Sequence, residues 1–232
     1  MGITMHAPPH PPPIPADLLL RAYRSGIFPM ADFRDDREVY WVEPKERAIL
    51  PLDGFRLSRS LRKVLRQDRF SVICDADFPA IIAECAAPRE DHAESWISRQ
   101  IEASYIALHE QGHAHSIEVR RDGALVGGLY GVAFDRVFCG ESMISRADNA
   151  SKVALAWLVA AMREAGYALL DCQFMTDHLA SLGAVALPQA AYVARLMDLR
   201  APPRISIPQA VAAFNAHSSP GNSIAQSLTQ TS

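Results

Sequence analysis

An α/β fold (α+β in its strand order) built on a mixed sheet is the class this sequence predicts, from three observations. Amphipathic helical stretches come first, an antiparallel meander follows, and a helix and a buried strand come after it. The meander is marked by alternating residues and turn dipeptides rather than by helical spacing. The composition, 232 residues with 49% hydrophobic and 21% charged, is that of an ordinary globular protein.

Residues 1–16, opening "MGITMHAPPHPPPIP", are proline-rich with no signal-peptide core and read as a disordered arm. "PADLLLRAYRSGIFPM" reads as a short helix beginning near Asp17 and stopped at Gly26. "DDREVYWVEPKERAIL" reads as extended chain broken at Pro44. Residues 17–45 hold too little apolar surface to stand alone, so they form a small N-terminal domain resting on the remainder. Residues 46–210 form the main domain.

Within it, "SRSLRKVLRQ" has Ser58 as N-cap with Leu61 and Leu65 at helical spacing. "FSVICDADF" is a strand. "DFPAIIAECAA" and "SWISRQIEASYIALHEQG" are amphipathic helices, the second ending at Gly112. "HAHSIEVRRDGALVGGLYGVAFDRVFCGESMIS" gives three strands with turns at Asp122-Gly123 and near Asp135. "NASKVALAWLVAAMREAGY" is a helix with Asn149 or Ser151 as its cap and Gly166 at its end. "ALLDCQF" is a short buried strand, and "TDHLASLGA" a brief helix closed at Gly183. Residues 211–232 are polar and read as a disordered tail. This order is also that of an acyltransferase fold of the acetyltransferase (GNAT) type.

A net charge of −3 argues against a wholly basic nucleic-acid coat while leaving local patches open. No apolar run reaches the roughly 18 residues of a membrane span. Cys74, Cys85, Cys139 and Cys172 are scattered with no C-x-x-C, which predicts reduced thiols and a cytoplasmic chain rather than a disulfide framework or zinc knuckle.

"HEQGH", residues 109–113, matches the H-E-x-x-H pattern of zinc proteases. That chemistry needs both histidines on one helix, a turn apart. Here Gly112 sits where a helix ends, and alternation begins at once with His113, His115, Ile117 and Val119. His109 closes a helix and His113 opens a strand, so no metal is expected there.

Glu141 follows Gly140 at the end of an apolar strand. Asp171 lies inside another, with Gln173 two residues on and on the same face. Carboxylates in apolar strands are costly unless paired or used. They either salt-bridge structural arginines such as Arg146 or attract a cationic substrate. "LVGGLYGVAF" is a glycine-rich strand pair that close backbone approach explains as well as phosphate binding does. An acyl-coenzyme A enzyme of this layout carries a glycine-rich pyrophosphate loop at the helix after the third strand. Here that junction is "SRADNASK", without glycine. A basic face is easier to see: Arg56, Arg59, Arg62, Lys63, Arg66 and Arg69 recur at three- to four-residue steps. Such a face is either solvated or faces a phosphate backbone.

"AYRSGIFPM", "SRSLRK", "SWISRQIEASYIALHEQGHAHSIEV", "LVGGLYGVAF", "FCGESMISRADNASKVAL" and "LLDCQ…DHLASLGA" together resemble the leucyl/phenylalanyl-tRNA–protein transferase family. The blocks span about residues 17–200, in the family's order. The resemblance implies a small N-terminal domain, an acetyltransferase-like catalytic domain, and an aminoacyltransferase. It implies transfer of leucine, and also phenylalanine or methionine, from aminoacyl-tRNA to proteins whose first residue is Arg or Lys, marking them for N-degron degradation. The enzyme it implies needs no cofactor, since aminoacyl-tRNA is a substrate, and acts as a cytoplasmic monomer with no membrane partner.

By the same resemblance Asp171, Gln173 and Glu141 fall at the reaction centre. Leu129, Leu155, Leu158, Met162 and Leu170 line the amino-acid pocket. Trp96 falls near the terminal adenosine of the tRNA, and the basic face read from spacing, with Arg59, Arg62, Lys63 and Arg66, is the candidate for its phosphate backbone. Met30 ends "GIFPM" where many relatives carry an adenosine-stacking Trp, which shifts that contact toward Tyr23, Phe28 or Trp96. Leu155, Leu158 and Met162 also form one apolar stripe by spacing alone. Ester aminolysis by an α-amine of pKa about 7.7–8.0 needs no covalent nucleophile and no metal. It needs positioning, worth roughly 7–11 kcal/mol. Asp171 is expected to hold the amine directly or through Gln173, and Glu141 to receive the acceptor's cationic end. The rival reading is an acyl-coenzyme A-dependent N-acetyltransferase of the same fold, disfavoured by the missing pyrophosphate loop.

Overall fold

The computed structural model describes residues 11–88 and 94–229. It begins with α1 (Ala16–Arg24), β1 (Phe28–Met30), β2 (Tyr40–Val42) and β3 (Glu46–Leu50). Then come α2 (Arg59–Arg66), β4 (Ser71–Cys74), α3 (Phe78–Ala86), α4 (Arg99–Glu110), β5 (Ala114–Arg121), β6 (Ala124–Phe134) and β7 (Val137–Ser145). The chain closes with α5 (Ala150–Ala165), β8 (Leu169–Gln173), α6 (Asp177–Ser181), β9 (Val185–Pro188), α7 (Gln189–Asp198), α8 (Ile207–Asn215) and α9 (Pro220–Ser227).

Local chemistry sets these boundaries. Ser58, Asp77, Ser98 and Thr176 each accept a first-turn backbone N–H of the helix they precede, leaving fewer orphan donors. The hairpin turns use Asp122, Gly123 and Asp135, all at positive φ. Asn149 holds the N-cap position of α5 in a left-handed conformation but makes no side-chain cap, while Gly166 closes the helix at φ 81°.

Among the described residues, β1 and β2 pair with each other and the other seven strands form one sheet in the order β4-β5-β6-β7-β8-β3-β9. Every pairing is antiparallel except β7 with β8. That parallel pairing runs only from Val137↔Leu169 to Cys139↔Asp171. Beyond it β7 continues to Ser145 on β6 alone, so β7 and β8 part and leave a gap in the sheet. One face of the sheet is covered by α5, α2, α8 and α9, the other by α1, α3, α4 and α7. The helix α5 buries residues on every side, including Leu155, Trp157, Leu158 and Met162. It is the centre of the first layer, as an all-round apolar helix must be.

The arm and the tail depart from expectation. Residues 1–10 lie outside the described residues. Over 11–16, however, Ile14 is buried and donates its N–H to Ser104 Oγ at 2.8 Å, and the Pro12 carbonyl accepts from Gln100 at 2.7 Å. This part of the arm is docked because its one large apolar side chain finds the α4 surface. The tail is likewise not disordered over 211–229. Ile207, Val211 and Phe214 bury one stripe of α8, and Ile224 and Ala225 bury α9. The α9 start is clamped by Asp68, which accepts from Gly221 N–H at 2.7 Å and from the Ser219 hydroxyl at 2.5 Å.

Gly221 also lies against α2 so closely that a Cβ would stand 2.2 Å from the Leu65 carbonyl oxygen. Gly221→Val is therefore expected to cost about 1–3 kcal/mol, as overpacking does. A thermal scan reads this as a lower Tm, and an unchanged Tm would show that α9 is not docked on α2. Among the described residues no helix is long and apolar enough to cross a membrane.

Candidate active site

The parting of β7 and β8 opens a cavity of about 230 Å3 between the sheet and α5. Leu129 from β6, Leu155 and Leu158 from α5, and Leu170 from β8 supply its apolar walls; these are four of the five residues that the resemblance assigns to an amino-acid pocket. The fifth, Met162, is fully buried one turn further along α5 and does not line it. The apolar stripe of α5 is longer than the cavity, and its far end is core. Gly140, Ser142, Met143, Cys172, Thr176, His178 and Leu179 also line it and were not legible as pocket residues. A larger hollow of about 790 Å3 is rimmed by Arg136, Arg163, Arg195 and Arg204 and has no comparable apolar floor.

Glu141 borders the same cavity at the gap, 8% exposed. Tyr23 donates to it at 2.8 Å and Tyr105 at 3.1 Å, and the two phenols lie 2.6 Å apart. Burial pushes the Glu141 carboxyl from 4.5 up to about 7; the hydrogen bonds from Tyr23 and Tyr105 and the adjacent Gln173 amide oppose that rise, and the nearby Asp171 adds to it. A carboxyl poised near neutrality beside an apolar cavity can both attract a cation and accept a proton.

Tyr23 is thus not an adenosine contact. It is fully buried and its hydroxyl is spent on Glu141 and Tyr105. Phe28 is buried as well, edge-on to Phe174 and beneath the Arg47 guanidinium.

Asp171 also differs from expectation. Arg47 Nε reaches its two oxygens at 2.9 and 3.0 Å, Arg47 Nη2 adds a contact at 2.5 Å, and the Tyr192 hydroxyl donates at 2.9 Å. Both partners of the ion pair are 0% exposed. With every lone-pair direction taken and no opening to the cavity, Asp171 does not hold an amine directly. Nor is its partner Arg146, which pairs with Glu84. Burial opposes the charge on Arg47, but Asp171 outweighs it and holds the guanidinium pKa above its ordinary value. The Phe28 and Tyr192 rings flank that guanidinium, each 4.7 Å from its carbon.

The indirect route remains. Asp171 Oδ1 accepts the backbone N–H of Gln173 at 2.8 Å, and Gln173 sits at φ 62°, a left-handed conformation costly for a side-chain-bearing residue. Asp171 therefore fixes where Gln173 points. The Gln173 amide lies beside Glu141, yet its buried Nε2 finds no hydrogen-bond acceptor of good geometry within the protein. A buried donor left unpaired is expensive unless a ligand oxygen meets it.

Trp96 is half-buried, and its carbonyl accepts from Ala31 N–H, which ties it to the end of β1. Met30 is half-buried opposite Tyr40 in the two-stranded sheet. The open aromatic faces here are Phe33, Tyr40 and Trp41, 47%, 44% and 42% exposed, which sequence reading passed over because isolated aromatics in extended chain look like core. On α2, Arg59, Lys63 and Arg66 are exposed while Leu61 and Leu65 face inward. Arg62 is half-buried with its Nε enclosed and unpaired.

The H-E-x-x-H segment is split as its glycine suggests. The helix α4 ends at Glu110, Gly112 has φ 76°, and His113 lies beyond. His109 stacks on Phe78 with ring centres 4.3 Å apart and contacts the Ala114 carbonyl at 2.9 Å.

Comparison with known proteins is consistent with this geometry. Residues 49–197 match the model of the leucyl/phenylalanyl-tRNA protein transferase family, and residues 13–45 that of its N-terminal domain. A leucyl/phenylalanyl-tRNA–protein transferase of Novosphingobium aromaticivorans is 55% identical over 96% of this chain and 98% of its own length. One from Rhizorhabdus wittichii is 61% identical over 79% of this chain and 74% of its own. The FemX crystal structure superposes with a TM-score of 0.52 at 14% identity, over 74% of this chain and 66% of FemX, and so shares this fold. A cavity placed by strands that part, on a sheet of that kind, in a chain matched over nearly its whole length, leads to one conclusion: the chain belongs to the leucyl/phenylalanyl-tRNA–protein transferase family.

Proposed function

We propose that this chain transfers leucine, with phenylalanine and methionine as further donors, from aminoacyl-tRNA to the N-terminal α-amine of proteins beginning with Arg or Lys. The observation that carries the reading is the apolar cavity of about 230 Å3 opening between β7 and β8 directly onto Glu141. The esterified side chain enters between α5 and the sheet, which leaves its carbonyl at the gap. The acceptor's amine approaches Glu141. Its lone pair attacks the ester carbonyl, the new C–N bond replaces the C–O bond to the tRNA ribose, and the ribose oxygen departs as a hydroxyl. Glu141 takes the proton the amine must lose and passes it to the departing ribose oxygen, so the carboxylate is regenerated. Gln173 Nε2, held by Asp171, is the donor for a substrate oxygen that becomes more negative on the way.

The exposed cations of α2 carry the tRNA backbone, with Trp96 and Met30 beside the terminal adenosine and Tyr40 next to them. Marking of proteins for N-degron degradation in the cytoplasm follows as the consequence. The reaction requires no cofactor or metal, because the ester is already activated, and a single chain contains every residue named.

Labelled leucine on tRNA is the direct test, offered to peptides beginning with Arg, Lys or Ala. Label is expected on the first two. Label on none, or equal label on all three, contradicts the reading. The cavity makes a second prediction. Leu158→Ala enlarges it and is expected to raise phenylalanine use relative to leucine. Met162→Ala is expected to cost about 2–5 kcal/mol of stability, as large-to-small core changes do, with that ratio unchanged. Competition between the two charged tRNAs reads the ratio, and a shift in Met162→Ala with none in Leu158→Ala would reverse the assignment.

A further inference from the structure

The histidines that fail as a protease motif have other neighbours. β4 ends at Cys74, and Asp75 follows at φ 57°, which turns its carboxylate back toward β5. There His115 Nδ1 lies 2.7 Å from Asp75 Oδ2, and Asp75 Oδ1 accepts the Ser116 N–H at 2.7 Å. The donor atoms of Cys74, Asp75 and His115 all lie within 4.8 Å of one another. His109 Nδ1 stands 3.9 Å from Asp75 Oδ1 on the outer side. A thiol, a carboxylate and an imidazole converge from two segments, on partly enclosed backbone fixed by β4–β5 pairing.

We propose that Cys74, Asp75 and His115 bind a divalent transition metal, Zn2+ by its ligand preference, at the β4–α3 corner. Zinc takes sulfur at about 2.3 Å, imidazole nitrogen at about 2.0–2.1 Å and carboxylate oxygen at about 2.0–2.2 Å, with water as a fourth ligand. Ligands on such a tetrahedron stand about 3.3–3.7 Å apart, so the side chains need close in or spread by only about an ångström. Hard oxygen-seeking cations are disfavoured by the sulfur and nitrogen donors. Burial, with Asp75 adding to it, pushes the Cys74 thiol up, so the apo site holds a neutral thiol; binding displaces its proton to solvent. Second neighbours are in place: Ser116 donates to Asp75, and the buried Glu118 accepts from Ser116 and from Asp77 N–H. The site sits two strands away from the β7–β8 gap, so its work is to pin the β4–α3 corner to β5 and not to join the reaction.

Chelator-stripped full-length protein titrated with Co2+ tests this. One equivalent is expected to produce a thiolate-to-cobalt charge-transfer band in the near ultraviolet that Zn2+ abolishes. Cys74→Ser removes the band, Cys172→Ser keeps it, and His115→Gln weakens Co2+ binding at least about tenfold. In the unmutated protein one equivalent of Zn2+ slows alkylation of Cys74, read by mass spectrometry, by at least about tenfold. Absence of the band, its survival in Cys74→Ser, or alkylation of Cys74 indifferent to Zn2+ overturns the proposal.

Discussion

Glu141→Gln is expected to slow leucyl transfer by roughly 10²–10⁴-fold, the range for loss of a general acid–base group, and at the same time to stabilise the protein above pH 7. The two effects have one cause. In the folded chain Glu141 titrates at about 7 against 4.5 for a free carboxyl, mainly because it is buried. Below about pH 4.5 it is neutral whether folded or not, and its buried neutral form contributes its full share of stability. As pH rises through the window from 4.5 to about 7, the unfolded chain releases this proton and the folded chain keeps it, so stability falls. The loss levels off above pH 7 at roughly 3 kcal/mol. Glutamine cannot ionise and escapes that loss. Urea midpoints of the two proteins are expected to be close near pH 4 and to diverge in favour of the variant by pH 8. A variant that is both inactive and less stable at pH 8 would mean that Glu141 is held for structure.

Arg47→Met is expected to be the most destabilising single change at the site, by about 3–5 kcal/mol, because it leaves the Asp171 carboxylate buried without a counter-charge. Replacing the pair together, Arg47→Met with Asp171→Leu, removes both charges and is expected to recover most of that loss. Activity is not expected to return. Asp171 anchors the strained Gln173 backbone, and no leucine can accept that N–H. Chemical denaturation and single-turnover transfer on the wild type, Arg47→Met and the double variant separate the two effects. Full activity in the double variant would show that the orientation of Gln173 is irrelevant to transfer.

The parts of this molecule that were legible in its sequence are those that local chemistry decides. The meander could be drawn because Asp122, Gly123 and Asp135 accept positive φ. The end of α4 could be placed because Gly112 takes the positive φ that closes it. Leu129, Leu155, Leu158 and Leu170 were named for an amino-acid pocket through the family resemblance, and the fold brings these four to one cavity. What could not be read is set by pairing across the chain. Nothing in "KERAIL" announces that Arg47 meets Asp171, 124 residues away; the β3–β8 ladder brings them together. Met162 shares the spacing of Leu155 and Leu158, but periodicity shows a face and not where a cavity along it ends. The tail misled because serine, threonine, asparagine and glutamine dominate its composition, although Val211 and Phe214 continue the helical interval that Ile207 begins. Asp68 and the Leu65 carbonyl, which dock that tail, lie some 150 residues earlier.

The pH dependence of single-turnover leucyl transfer to an Arg-initiated peptide, in the wild type and in Glu141→Gln, tests the central claim most directly. The acceptor amine titrates at about 7.7–8.0 in any case and leaves its own inflection in both proteins. If an apolar cavity presents the ester to an amine governed by Glu141, the wild type shows a further rise in rate through about pH 7 that the variant lacks. If the two profiles have the same shape, differing only in height or not at all, the carboxylate at the gap does not take the proton and the account fails.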